Sequence, residues 1–96
     1  MVNVDVTLPL EFELSQNYPN PFNPSTTIKF AIPEATMVTL NVFNALGEEV
    51  ALLVDGFMES GIHEVNFDAV GLNSGMYFYR LQAGDFNQVK KMTLLK

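Results

Sequence analysis

The sequence contains no cysteine, no tryptophan and a single histidine. Without cysteine there is no disulfide framework, no zinc–thiolate site and no thiol nucleophile. Basic residues are scarce, five Lys and Arg against 11 Asp and Glu, for a net charge of −6. Such a surface repels phosphate backbones and anionic headgroups, which argues against nucleic acid or an acidic lipid surface as partner. No apolar run reaches the length of a membrane span, so the chain is not read as membrane-spanning. No basic-then-apolar leader opens it, so an export signal is expected to belong to a longer parent chain. Helix-length stretches are missing too. β-branched and aromatic residues dominate, and Gly or Pro interrupts before three helical turns accumulate.

What is present is a period of two. The chain has 96 residues, 48% of them hydrophobic, enough for one domain with a two-layer core. Every even position from Val2 to Leu14 is apolar, but Pro9 cannot donate to a ladder and splits the run. Residues 1–9 are therefore read as a linker and Leu10–Gln16 as the first strand of a domain spanning residues 10–96. Further alternating runs cover Thr27–Ile32, Met37–Phe43, Glu48–Val54, Gly61–Phe67, Gly75–Ala83 and Phe86–Leu95. Asn44-Ala-Leu-Gly47 reads as a hairpin loop, with Gly47 supplying the positive φ of a type I turn plus G1 bulge. Gly56–Gly61 reads as a looser connection. Strands this short, with turn signals this frequent, predict an all-β fold, an Ig-like antiparallel β-sandwich of about seven strands.

Chemistry is thin. His63 lies on a predicted strand, where it reads as cover for the core rim. The four serines, Ser15, Ser25, Ser60 and Ser74, sit beside turns, where serine is common, and no G-x-S-x-G elbow occurs. Glu48 and Glu49 are adjacent on a strand and point to opposite faces, so they cannot act as an acid/base pair. Asp55 and Glu59 flank the expected loop without a calcium-loop pattern. Asn23-Pro-Ser25 is no glycosylation acceptor, because proline fills its middle position. Tyr77 and Tyr79 share a strand face, either as a ligand platform with Phe43 or Phe78 or as core residues with hydroxyls at the rim. Tyr77 also has the placement of a tyrosine corner. The residues name no catalytic, metal or cofactor site, and by themselves stop at an acidic Ig-like sandwich.

Five segments in order carry a resemblance. NYPNPFNPSTTI (17–28), VTLNVFNALGEEVALLVDG (38–56), GIHEVNFDA (61–69), LNSGMYFYRLQAG (72–84) and KKMTLLK (90–96) together resemble the type A C-terminal sorting domain of the type IX (Por) secretion system. The resemblance implies a non-catalytic, cofactor-free address label at the end of a parent chain, with the cargo upstream of residues 1–9. Its implied partners are the type IX outer-membrane translocon and a sortase-like peptidase. Its implied route is periplasmic in transit, then extracellular or cell-surface. The family's motifs fall on Pro19, Asn20 and Pro21, on Gly75 and Tyr77, and on Lys91. Lys90 and Lys91, part of a small basic tip on an acidic body, join the Pro-Asn corner as the expected translocon-facing surface. Each residue also has a purely structural reading: corner, special φ, or protection of an edge strand.

Two alternatives use the same pattern. One is an assembly module like the Ig-like domain of flagellar hook-capping proteins, and the other is a carbohydrate-binding accessory domain. The last strand is also a candidate for β-augmentation, with the translocon or as a dimer through an edge.

Overall fold

The alternation produces seven strands and no helix among residues 11–95, which the computed structural model describes. The linker assigned to residues 1–9 lies outside the described residues. The strands are β1 (Glu13–Leu14), β2 (Ser25–Ile32), β3 (Thr36–Phe43), β4 (Glu49–Met58), β5 (Gly61–Asp68), β6 (Gly75–Ala83) and β7 (Phe86–Leu94). They form two sheets, β1-β2-β5 and β4-β3-β6-β7, in which every ladder is antiparallel. This is the Ig-like sandwich that the turn spacing predicts.

The core sits between the sheets and is built from alternate residues of each strand. Ile28, Phe30 and Ile32 of β2 face Val38, Leu40 and Val42 of β3, with Tyr79 and Leu81 of β6 and Met92 and Leu94 of β7, all buried. Each such aliphatic or aromatic side chain contributes about 1.5–3 kcal/mol by leaving water. A one-residue slip would turn the whole set outward, so the pattern fixes the register.

The β3–β4 turn forms as its residues require. Gly47 N–H donates to the Asn44 carbonyl at 3.0 Å, Asn44 N–H donates to the Glu48 carbonyl at 2.9 Å, and Gly47 takes φ +87°. The Asn44 side-chain oxygen accepts from the Leu46 and Glu48 amides, both at 3.0 Å, which closes the loop from inside.

Two boundaries differ from expectation. β4 continues through Gly56 to Met58, so the connection to β5 shrinks to Glu59 and Ser60. Gly56 pairs with buried Val38 and the ladder runs on to the Thr36–Met58 pair, so this glycine interrupts nothing. Asp55 is consequently a strand residue, and no described cluster of His, Asp or Glu could hold a metal. β1 keeps only Glu13 and Leu14, because the chain beyond it leaves β2 and crosses toward the other sheet. Ser15 N–H still reaches the Lys29 carbonyl at 3.0 Å and Tyr18 bridges Thr27, but Phe22 then bridges Leu94 of β7 in parallel. The opening segment thus touches both sheets. His63 covers the rim as expected: its ring lies 5.4 Å from Phe30, and Nε2 donates to the Glu59 carbonyl at 2.9 Å.

Candidate recognition surface

The Pro-Asn corner is held from beneath by a buried polar network. Asn17 is only 2% exposed, an unusual burial for asparagine. Its Nδ2 donates to Thr26 Oγ1 at 3.0 Å and to the Pro19 carbonyl at 3.2 Å, and its Oδ1 accepts from Gln16 Nε2 at 2.7 Å. Thr26 Oγ1 in turn donates to the Pro19 carbonyl at 2.8 Å. Both Asn17 side-chain donors and its acceptor are therefore used, which makes burial tolerable.

Tyr79 ties this network to the core. Its hydroxyl donates to the Ser15 carbonyl at 2.7 Å and accepts the Asn17 N–H at 2.8 Å. Burial pushes this phenol up to about 12, and the Asn17 bond offsets part of the rise. One side chain of β6 thereby fixes two backbone groups of the segment that leads into the corner.

The corner's far side is bound to the end of β7. Asn20 Oδ1 accepts the Thr93 N–H at 2.9 Å, Phe22 N–H donates to the Thr93 carbonyl at 3.0 Å, and Leu95 N–H donates to the Phe22 carbonyl at 2.9 Å. Phe22 is buried beneath these bonds, 6.1 Å from the ring of Phe67. Gln16 Nε2 adds a bond of 2.7 Å to the Lys91 carbonyl. The Tyr18–Pro19, Asn20–Pro21 and Asn23–Pro24 peptide bonds are cis.

The sequence-derived candidates separate on this frame. Pro19, Asn20 and Pro21 are exposed on the corner. Gly75 opens β6 with φ +147°, which disfavours a side chain, and pairs with Leu94 beside the corner. Lys91 is exposed on β7. These residues gather where β6 begins, β7 ends and the corner docks. Tyr77 does not join them. It is buried, and its hydroxyl donates to the Asn73 carbonyl at 2.7 Å, the backbone bond of a tyrosine corner. Lys90 also stands apart: it pairs with Tyr79 and is half-buried, whereas Lys91 pairs with Phe78 on the opposite face.

The aromatic platform is overturned. Tyr77 and Tyr79 point into the core with both hydroxyls bonded to backbone, while Phe43 and Phe78 form a cross-strand pair on the outer face. An open groove of about 450 Å³ lies beside the corner, lined by Ser15, Gln16, Tyr18, Thr27, Lys29 and Glu64. The Lys29–Glu64 pair in it is 3.9 Å apart and solvated, so it contributes little to stability.

Asn17 and Thr26 were absent from the sequence-derived set, and Tyr79 entered it only as a platform or core tyrosine, of which the core reading holds. A core tyrosine signals that its hydroxyl needs a partner. Nothing local identifies that partner 62 residues away.

The chain matches, over residues 16–94, the family described as a secretion system C-terminal sorting domain. No curated protein matches it. Among solved structures it is similar to PorZ of Porphyromonas gingivalis, a bacterial surface component essential to the type IX secretion system. That similarity has 21% identity and a TM-score of 0.58 and covers 84% of this chain, which shows a shared fold. The chain spans only 11% of the PorZ chain. With its sandwich, tyrosine corner and docked Pro-Asn segment in place, and with the family matched over most of its length, the chain belongs to the C-terminal sorting domains of the type IX secretion system.

Proposed function

We propose that this sorting domain is read by the outer-membrane translocon through the surface where the Pro-Asn corner meets the end of β7. The observation that carries this reading is the bond from Thr93 N–H to Asn20 Oδ1, reinforced by the Phe22–Leu94 bridge. It makes residues from both ends of the domain one preformed surface, which lowers the ordering cost when a partner docks. Exposed Pro19, Asn20, Pro21 and Lys91 supply the contacts, and Gly75 keeps the adjacent surface free of a side chain. Tyr77 supports the surface from within. A non-catalytic role accords with membership of a sorting-signal family. The cargo lies upstream in the same parent, passes through the periplasm and ends at the cell surface or outside it. A sortase-like peptidase would cut upstream of β1, because Leu14 is buried and paired with Phe30 and so closed to a protease.

The test is export of a periplasm-directed reporter fused to the domain in a bacterium with a type IX system. Removing residues 86–96 would strip buried Met92 and Leu94 from the core and report on folding. Surface variants are the proper probe. Asn20→Ala and Lys91→Glu, each checked for folding, are expected to leave the reporter in the periplasm. Normal export by both folded variants would refute this surface.

A further inference from the structure

The outer face of the β4-β3-β6-β7 sheet has an arrangement that sorting does not require. The outer face of an antiparallel sheet is usually polar. Here Leu52, Met76 and Val89 are 49%, 45% and 52% exposed around half-buried Phe43 and Phe78. Arg80 crosses the middle, its guanidinium 5.0 Å from the centre of the Phe43 ring.

The register places all of these residues except Met76, which pairs with Thr93, in two rows across the four strands. One row reads Glu49, Phe43, Phe78, Lys91. The next reads Leu52, Asn41, Arg80, Val89. Asn41 Nδ2 donates to Glu49 Oε1 at 3.2 Å, which places both side chains on this face. The buried atoms Asn41 Oδ1 and Arg80 Nε, on cross-strand neighbours, have no hydrogen-bond partner.

Each row is complementary to its own reversal. Its outer members are acid and base, or two aliphatic residues. Its inner members are two phenyl rings, or an amide and a guanidinium. A two-fold axis parallel to the strands, between β3 and β6, lays β4 of one copy over β7 of the other and β3 over β6. Glu49 then meets Lys91, Phe43 meets Phe78 and Leu52 meets Val89, each contact occurring twice as an isologous interface requires, while buried Asn41 lies beneath them opposite Arg80. Aligned packing of two such sheets is an ordinary geometry for twisted strands.

We infer that a second copy of this domain is the occupant of this face, and that the chain self-associates through it as a two-fold dimer. The inference does not rest on the translocon reading; the two surfaces share Lys91, whereas Leu52 and Val89 belong to this face alone. Strand spacing and rise give a face of roughly 14 by 27 Å before side chains are added. That is roughly half the area per partner of a standard stable interface, so the dimer is weak and transient and forms only at roughly micromolar or higher concentration.

The test is sedimentation equilibrium of the chain at physiological ionic strength, from about 1 to about 500 μM. A monomer–dimer equilibrium is expected. Leu52→Glu and Val89→Glu, at exposed positions where the fold is least affected, should each weaken it at least about tenfold. Glu49→Lys and Lys91→Glu should each weaken it, and the double charge swap should recover most of the lost association, because both reciprocal pairs are restored. Thermal unfolding of every variant separates loss of association from loss of fold. A chain monomeric throughout the range overturns the inference. So does a dimer indifferent to Leu52→Glu and Glu49→Lys, which would indicate pairing along a sheet edge. Failure of the double swap to recover association would also overturn it.

Discussion

The Tyr79 hydroxyl stands between two backbone groups of one segment: it accepts the Asn17 amide at 2.8 Å and donates to the Ser15 carbonyl at 2.7 Å. A β6 side chain thereby positions the peptide that leads into the Pro-Asn corner. The corner's orientation is inherited from the core.

Tyr79→Phe removes both bonds and leaves a buried amide and a part-buried carbonyl unpaired. The expected loss is about 2–3 kcal/mol at neutral pH, measurable by urea unfolding. The pH dependence has a definite sign. The folded phenol titrates at about 12, above its ordinary value of 10.0, so folding favours the neutral form. Its contribution is complete below pH 10 and is lost as pH rises from about 10 to about 12, a decline of roughly 2–3 kcal/mol. The Phe variant should lack this component. Parallel stability curves for the two proteins above pH 10 would contradict the assignment.

Gly47 and Gly56 should respond oppositely to alanine. At both, an added Cβ meets nothing within 4 Å. Gly47 has φ +87°, so Gly47→Ala strains the turn and should cost about 1 kcal/mol. Gly56 lies inside β4 without a positive φ, and Gly56→Ala should be neutral or stabilise by up to about 1 kcal/mol. Thermal unfolding distinguishes the two. A loss at Gly56 equal to that at Gly47 would mean that the positive φ is not what sets the two positions apart.

Asn20→Ala should destabilise only modestly, by about 0.5–1.5 kcal/mol, because its bond to Thr93 lies at an exposed site where water replaces it. Its larger effect should be local. Amide exchange at Thr93 should accelerate well beyond the global change, while that of Leu81 in the core should follow global stability. Unchanged protection at Thr93 would show that the corner does not hold the end of β7.

The parts legible in the sequence are those with a local cause. The limits of β6 at Gly75 and Ala83, the buried faces of β2 and β3 and the turn at Gly47 follow from period-two patterning and turn chemistry. The Tyr77 bond to Asn73 spans four residues and was legible as a tyrosine corner for the same reason. The misplaced features have non-local causes. Gly56 looked like a strand end, but the ladder with Val38 runs through it. Leu10–Gln16 looked like a full strand, but the chain must cross to β7, and only the assembled sandwich reveals that destination. The bonds from Asn17 and Gln16 to β6 and β7 likewise span 62 and 75 residues, beyond any spacing rule.

The most direct test of the sorting assignment compares two strains that differ only in the type IX translocon. The intact chain is fused behind a periplasm-directed reporter and expressed in both. Reporter outside the cell in the competent strain, and confined to the periplasm in the strain lacking the translocon, is the predicted result. Periplasmic retention of a folded fusion in both strains, or its release in both, would contradict the account.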